Sequence, residues 1–510
     1  MTTTGGVTRD ERVLNCLDQR LEVAARHLIP STVRSGIGKT DEPPGWVSAQ
    51  LLPELLARLP HRPGPDHWLL LTALAGRFPL PAEVEDLARR VELDGSEQVT
   101  RVVLGSVMEQ PELGRLDLEM EIVSDRVLVD TDYCAREDYN TGVQRVVRHV
   151  MPTWLAEHDV AAVAHIDERT AYRALAPREQ ARVFSYGRDV FVDPADEIAF
   201  EHRLVVPWRT TVIWPEVPHP DSCSRLAGLA QYSGNSVGLV AYDMIPINSA
   251  HLRPHSESGE FAQYLHAVKR AHRVAGISTS AASEFSGFAE MLAAQGLPGP
   301  RVVEVELAAD VGDHPEWSNG AETHERPVVL ITARRELHKN VRAALHAVER
   351  LWHEGLDFEV VMMGGHGWSE SSIQDAIDRL QAAGRPLTTL GWVADEEMWK
   401  RLGEASFVVF VSLHEGYGLP VAEALACGTP VVTSNYGSQA EIARKGGCLL
   451  VDPRDDSEIA EAMRLLITDP DELARLRKEI DARPQRRWID YSRELWQFLV
   501  NEQEPASVLD

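Results

Sequence analysis

Apolar and polar residues follow two different periods along the chain, and the change between them divides it. Residues 9–29 carry apolar side chains at roughly helical spacing, and after a Gly- and Pro-rich break at 31–46 the runs 51–59 and 68–74 are again apolar. Farther on, short β-branched runs alternate with amphipathic stretches, which is typical of βαβ units. The pattern predicts a helical N-terminal extension over residues 1–122, followed by α/β domains.

The α/β part divides at residues 308–326, a polar stretch with Pro, Gly and Asn. Such composition is typical of a linker between domains. We therefore predict a first Rossmann-like domain over residues 123–307 and a second over residues 327–485. Residues 486–510 contain a final amphipathic stretch and a tail.

One stretch of the second domain has the features of a ligand-binding loop. Residues 407–411 form an apolar run typical of a buried parallel strand, and a loop with two glycines follows at 412–418. Pro420 suits the first turn of a helix over residues 419–426. Ligands of such sheets bind beyond the carboxyl ends of the strands, where free N–H groups and the helix dipole favour a phosphate.

Two carboxylates bracket this turn, Glu415 in the loop and Glu423 in the predicted helix. A carboxylate accepts hydrogen bonds from hydroxyl groups such as those of a ribose or a hexose. An isolated pair of this kind is more often a helix cap and a solvent-exposed side chain. The complete string around the pair is much more specific than the pair alone.

Two cations follow the first strand of the second domain. The apolar run 328–332 precedes Arg334 and Lys339, and Asn340 is expected to cap the next helix. Arg binds diphosphate oxygens in a bidentate manner, and Lys acts as a point charge. Without further context, two solvated surface cations would be the simpler interpretation.

In the first domain, two short motifs stand next to predicted strand ends. Thr141 and Gly142 precede an amphipathic helix, and Tyr242 and Asp243 follow the apolar run 236–241. Catalytic groups of open α/β sheets gather at the carboxyl ends of strands. However, Thr-Gly before a helix is usually only a cap, and an Asp after a strand is more often a turn former.

Composition and charge limit the kinds of partner that the protein is expected to bind. The 510 residues are 44% apolar and 25% charged, as in a globular protein, and the net charge of −27 argues against nucleic acid and against general adhesion to an anionic membrane. No run approaches the roughly 20 apolar residues of a membrane span, and the N-terminus does not have the pattern of a signal peptide. The five cysteines lack metal-ligand spacing and are expected to be reduced. We expect a cytoplasmic protein, and peripheral attachment to the inner membrane face stays open.

The string EGYGLPVAEALACGTPVV, which contains Glu415 and Glu423, resembles the signature of retaining GT-B glycosyltransferases of the family 4 type, with its two glutamates separated by seven residues. TGVQRV, at residues 141–146, is similar to the TGIQRV loop of some members. The two cations after the first strand of the second domain resemble the family's Arg…Lys-Asn motif. The resemblance covers about residues 125–500, and it implies two Rossmann-like domains that face each other across a cleft.

The resemblance also implies roles for individual residues. In the family, the second glutamate holds the nucleotide ribose and the first contacts the donor sugar. Carried onto this chain, the catalytic residues would be Glu415, Arg334, Lys339 and Asp243, and the donor-binding residues Gly142, Val393, Gly416, Tyr417, Gly418, Leu419 and Glu423. Members often have His before this Asp, where this chain has Tyr242, so a histidine-based role is in doubt.

These motifs predict a retaining hexosyltransferase that needs neither a metal nor another cofactor. The donor would be a GDP- or UDP-linked sugar, with mannose from GDP-mannose as the guess by resemblance. The acceptor would be a hydroxyl group of a glycan, a lipid-linked sugar or a small molecule. We also expect the last helix of the chain to cross back to the first domain, as in other GT-B enzymes.

Two kinds of alternative remain at this stage. Within the same fold, the chain would be a nucleotide-sugar epimerase or a glycogen-synthase-like polymerase. In another class, it would be a catalytically weak nucleotide-sugar-binding subunit that activates a partner enzyme. Residues 1–120 would then dock the partner, or a second copy of the chain in a homo-oligomer.

Overall fold

The computed structural model describes residues 8–29, 43–110, 113–310, 326–365, 367–368 and 370–502. Most of the predicted linker at 308–326, part of the break at 31–46 and the end of the predicted tail therefore lie outside the described residues. Within the described part, the strands form one sheet of nine strands and one of six. No helix there is long and apolar enough to cross a membrane.

The N-terminal region is helical, as predicted. Its helices are α1 (Arg9–Leu28), α2 (Trp46–Arg58), α3 (Pro65–Ala75), α4 (Pro81–Leu93) and α5 (Ser96–Glu109). The buried Arg20 of α1 donates hydrogen bonds to the carbonyl oxygens of Ala73, Leu116 and Leu118, so one guanidinium joins α1 and α3 to the chain that enters the first sheet. These helices share one continuous hydrophobic core with that sheet.

The first sheet has the order β1-β5-β4-β3-β2-β6-β7-β8-β9 and is parallel except for β4. Its strands are β1 (Met120–Val123), β2 (Val127–Asp130), β3 (Val160–His165), β4 (Tyr172–Ala174), β5 (Leu204–Pro207), β6 (Thr211–Trp214), β7 (Ser236–Ala241), β8 (Arg273–Gly276) and β9 (Arg301–Glu304). The boundary predicted at residue 122 falls inside β1, which pairs with β5 at the edge of the sheet. Only the two ends of this short strand are buried, and its pattern is therefore too weak to recognise from sequence.

Helices connect these strands on both faces. They are α6 (Asp132–Arg136), α7 (Gly142–Glu157), α8 (Pro177–Phe184), α9 (Pro194–Ala199), α10 (Pro220–Tyr232), α11 (Ile245–Asn248), α12 (His255–Val268) and α13 (Thr279–Ala293). The helix α7 follows β2 at the point where the strand order reverses between β2 and β6. Such a switch point opens a crevice at the carboxyl edge of the sheet.

The second sheet is entirely parallel and has the order β12-β11-β10-β13-β14-β15. Its strands are β10 (Val328–Thr332), β11 (Glu359–Met363), β12 (Leu387–Gly391), β13 (Phe407–Phe410), β14 (Val431–Ser434) and β15 (Cys448–Val451). This is the doubly wound order of a Rossmann fold, with its switch point between β10 and β13. The loops after these two strands therefore lie side by side.

The helices of the second half are α14 (Val341–His353), α15 (Glu370–Ala382), α16 (Asp395–Glu404), α17 (Leu419–Ala426), α18 (Gly437–Ala443), α19 (Asp456–Thr468), α20 (Pro470–Asp481) and α21 (Trp488–Trp496). The last of them packs against α7 of the first half, where the Trp154 indole donates a hydrogen bond to the Ser492 carbonyl at 2.8 Å. Asn340 precedes α14 as expected but does not cap it. Its side-chain amide donates instead to the carbonyl oxygens of Val411 and Pro453.

Candidate active site

A cleft of about 880 Å³ separates the carboxyl edges of the two sheets. This volume lies within the range of small-molecule sites. The cleft is lined by every predicted site residue, namely Gly142, Asp243, Arg334, Lys339, Val393, Glu415, Gly416, Tyr417, Gly418, Leu419 and Glu423. The structure thus brings the whole set together, and the individual roles stay predictions.

The loop between β13 and α17 approaches the first domain closely. A Cβ atom added at Gly416 would lie 2.1 Å from the carbonyl oxygen of Tyr242, so no other residue fits there without a shift. Gly418 has a φ of +102°, a left-handed conformation that turns the chain into α17. The Ser278 hydroxyl donates to the Gly416 carbonyl at 2.6 Å, and the Tyr417 hydroxyl donates to the Leu307 carbonyl at 2.9 Å. Both bonds tie the loop to the first domain.

Two predicted catalytic residues form an ion pair with each other. The Lys339 ammonium, in the loop after β10, lies 2.7 and 2.9 Å from the two carboxylate oxygens of Glu415, in the loop after β13. Both side chains are largely buried, which strengthens their attraction. A cation and a carboxylate therefore lie together at the switch point of the second sheet, where a phosphate and a sugar hydroxyl would find matching partners.

Beside this pair, Arg334 is largely exposed and pairs with Glu336 at 3.1 Å. The other oxygen of Glu336 accepts a hydrogen bond at 2.7 Å from Arg253 of the first domain. Burial and the nearby Lys339 lower the pKa of His338 to about 2, so this ring is neutral. The sequence analysis missed Arg253, because it belongs to no motif and only the folded chain places it in the cleft.

A further arginine enters the cleft from α7. Before this helix, the Thr141 N–H donates a hydrogen bond to the side-chain oxygen of Gln144 at 3.3 Å. On the first turn of α7, the Arg145 guanidinium donates one hydrogen bond to Glu423 and a second, at 3.3 Å, to Asp395. Burial raises the pKa of Glu423, and the charge of Arg145 acts against that rise. Arg145 lies in the TGVQRV string, but its type and position alone gave no reason to single it out.

The first turns of α7 and α17 meet in the cleft. A Cβ atom added at Gly142 would lie 3.3 Å from a methyl group of Leu419, which shows how closely the two helix starts approach. Each helix start presents the positive end of a helix dipole to the cleft. Together with Lys339 and Arg334, they make this part of the cleft suitable for an anion.

A histidine of the second domain is held by two side chains of the first. His414, directly before Glu415, lies 2.8 Å from Glu284 through Nε2 and 2.8 Å from the Ser249 hydroxyl through Nδ1. Burial acts to lower the pKa of His414, but the hydrogen bond and charge of Glu284 outweigh it, and the pKa is raised. The contacts fix the backbone that carries Glu415.

Asp243 lies on the first-domain wall of the cleft, where burial raises the pKa of its carboxyl group. One of its oxygens accepts the N–H of Ile245 at 3.0 Å. The preceding Tyr242 donates its hydroxyl to the Pro215 carbonyl at 2.6 Å, inside the first domain. The Tyr242 hydroxyl is therefore engaged inside the first domain.

Val393 lies on the opposite wall, in the loop after β12, beside the exposed indole of Trp392. Throughout the described ranges, no group of three or more His, Cys, Asp or Glu side chains is arranged to hold a metal ion.

The architecture matches solved glycosyltransferases. The Anabaena protein HepE, solved in complex with UDP and glucose, superposes with a TM-score of 0.52 and 12% identity, covering 73% of this chain and 99% of that one. At this identity the likeness establishes the fold. The chain has the GT-B fold, with two Rossmann-like domains across a cleft and a helical N-terminal region, as predicted from sequence.

Sequence comparisons agree with this class. Residues 314–483 match the family described as Glycosyl transferases group 1. The serotype-specific mannosyltransferase WbdA of Escherichia coli is 25% identical over 63% of this chain and 40% of its own length. The glycogen synthase of Mycobacterium tuberculosis is 26% identical over 64% of this chain and 83% of its own length. The chain spans 32% to 40% of the length of the Escherichia coli mannosyltransferases that it matches.

Proposed function

We propose that this protein is a retaining glycosyltransferase that moves a hexose from a nucleotide-diphosphate sugar to an acceptor hydroxyl group. One observation carries the proposal. The Lys339–Glu415 pair, Arg334 and the starts of two helices meet in a single cleft between two Rossmann-like domains. This arrangement offers cations and N–H groups to a diphosphate and a carboxylate to the sugar attached to it.

The chemistry requires a leaving diphosphate and an oxocarbenium-like sugar to be stabilised together. Lys339, Arg334 and the N–H groups at the start of α17 would bind the diphosphate more strongly as negative charge develops on it. Glu415, held by Lys339 and by the loop that His414 anchors, would contact the sugar. In this family type, the departing phosphate takes the acceptor proton on the same face, so no enzymic nucleophile is required.

The two walls of the cleft divide the substrates. The second domain would hold the donor, with Glu423 accepting hydrogen bonds from the ribose and the Val393 loop lying under the base. The first domain would receive the acceptor near Asp243, whose raised pKa suits a carboxyl group that hydrogen-bonds a hydroxyl.

For the donor we propose mannose from GDP-mannose, supported by the match to mannosyltransferases over 63% of the chain. The match to a glycogen synthase makes a nucleotide-linked glucose the competing donor. A thermal-shift panel of GDP-mannose, UDP-glucose, ADP-glucose and UDP-galactose would decide among them. A ligand at 100 times its dissociation constant adds about 2.7 kcal/mol to the free energy of unfolding.

Turnover separates an enzyme from a binding subunit. We expect the purified chain to hydrolyse the donor that stabilises it slowly, without any partner protein, with release of nucleoside diphosphate as the readout. Binding of a donor with no hydrolysis and no transfer to any acceptor would instead favour the catalytically weak subunit. Absence of binding to every nucleotide sugar would contradict the proposed function.

The reaction should not depend on a divalent metal. The diphosphate charge would be matched by Lys339, Arg334 and two helix dipoles, so we expect EDTA to leave kcat within about twofold of its untreated value, a change of less than about 0.5 kcal/mol. Donor turnover before and after chelation measures this. Complete loss of activity that Mg²⁺ or Mn²⁺ restores would contradict it.

A further inference from the structure

Arg145 is one of the residues that join the two domains across the cleft. Arg145, on α7 of the first domain, donates hydrogen bonds to two carboxylates of the second, Glu423 on α17 and Asp395 at the start of α16. Asn140 adds a third contact, because its side-chain amide donates to the other oxygen of Asp395 at 3.2 Å. Arg145 and Glu423 are both largely buried, with side chains 13% and 5% exposed.

This contact involves the same carboxylate that would hold the donor ribose. A ribose diol offers two hydroxyl donors, and a carboxylate binds both well only when both of its oxygens are accessible. In this structure one oxygen of Glu423 accepts the Arg145 guanidinium, and little of the carboxylate is exposed. Arg145 and one hydroxyl group of a ribose diol thus compete for the same oxygen of Glu423.

Resting on the proposed function, we propose that Arg145 gates the donor site by competing with the ribose for Glu423. Donor binding exchanges the guanidinium for the ribose hydroxyls. Asp395, which also accepts a hydrogen bond from Asn140, keeps Arg145 beside the cleft during this exchange. The hydrogen bond from Arg145 to Asp395 does not involve Glu423. The exchange also breaks one of the contacts that join the two domains.

Removal of Arg145 is expected to strengthen the binding of nucleosides. Arg145→Gln frees the oxygen of Glu423 that now accepts the guanidinium, so the ribose no longer displaces a cation. We expect the variant to bind guanosine, a nucleoside without phosphates, with a dissociation constant about tenfold lower than that of the wild type. This corresponds to a gain of about 1.4 kcal/mol in binding free energy. The same comparison is made with uridine. Calorimetry is done at several pH values, because burial raises the pKa of Glu423 and the loss of Arg145 raises that pKa further.

Two variants and one ligand control this experiment. Asp395→Asn removes only the second anchor of Arg145 and should lower the dissociation constant in the same direction by a smaller factor. Arg493→Gln removes the ion pair with Glu157 at the other end of α7 and should leave nucleoside binding unchanged. The 2′,3′-dideoxy nucleoside lacks the two hydroxyl groups of the ribose diol, and its affinity should not increase in Arg145→Gln.

The outcomes are distinguishable. A cooperative thermal transition shows that Arg145→Gln is folded. If the folded variant binds the nucleosides no more tightly than the wild type does, the gate is overturned. The proposed function is kept in that case as long as the wild type binds GDP or UDP. An equal gain with the dideoxy nucleoside would also overturn it, because the gain would not come from Glu423. Failure of the wild type to bind GDP and UDP would overturn the proposed function and this inference with it.

Discussion

A chain that begins at Ser124 is expected not to fold. It lacks α1 to α5 and β1, and these elements complete the core of the first sheet. Trp68 of α3 packs on Phe78, and Phe78 packs on Tyr172 of β4, with ring centroids 5.2 Å apart in both pairs. Each large apolar side chain that loses its cover costs roughly 1.5–3 kcal/mol, and a domain has only about 5–15 kcal/mol of net stability.

Polar contacts across the same boundary point to the same result. The Phe78 N–H donates to the Thr170 carbonyl at 2.9 Å, and Arg225 of α10 donates to the Phe78 carbonyl at 2.6 Å. Truncation would leave these groups without their partners, and it would expose the edge of β5 that β1 now covers.

Expression, size-exclusion chromatography and circular dichroism would measure the effect. A chain that begins at Thr8 is the control, because it keeps α1 with its capping box, and it should be monodisperse with a cooperative thermal transition. A chain from Ser124 that is monomeric, unfolds cooperatively and binds nucleotide would show that the N-terminal helices form an independent module.

The second large effect concerns the two glutamates of the central motif. Glu415→Gln should lower kcat by about 100-fold or more, because it removes a charge next to the sugar where positive charge develops in the transition state. It should not weaken nucleoside diphosphate binding, since Lys339 remains in place. Glu423→Gln should weaken that binding by roughly 1–3 kcal/mol through loss of a charged hydrogen bond to the ribose, an interaction present in ground and transition states alike.

Calorimetry with the nucleoside diphosphate and steady-state rates with the donor separate the two effects. Glu441→Gln is a matched control, because Glu441 also contacts the first domain, through Ser280 and the Thr279 N–H, but does not line the cleft. It should bind and turn over like the wild type. If both cleft variants also behave like the wild type, the motif is structural and the glycosyltransferase proposal fails.

The sequence by itself determined the local structure around the site. The apolar run of β13, the glycines of the following loop and Pro420 in the first turn of α17 were all predicted, because burial on both faces of a strand and left-handed backbone each demand particular residue types. The helix expected after Asn340 is likewise present as α14, and its apolar residues Val341, Ala344, Leu345, Val348 and Leu351 lie inside the core.

Only the tertiary structure decided which side chains meet. The pairs Lys339–Glu415, Arg145–Glu423 and His414–Glu284 join residues far apart in the sequence, and the last two cross between domains. Periodicity reports whether a residue faces a core, but a charged residue at a loop or a helix start is free to face solvent or a partner. Which one it faces depends on how the strand ends of two sheets converge.

The N-terminal helices show the same difference between what the sequence determines and what the tertiary structure decides. Their helical character was predicted from spacing alone, because an amphipathic helix repeats its apolar face regardless of what covers it. That they cover the first sheet, with β1 crossing the predicted boundary, depends on a complementary apolar surface that residues 120–285 form when they fold. A helix pattern specifies that a face must be buried, and the tertiary fold supplies the surface that buries it.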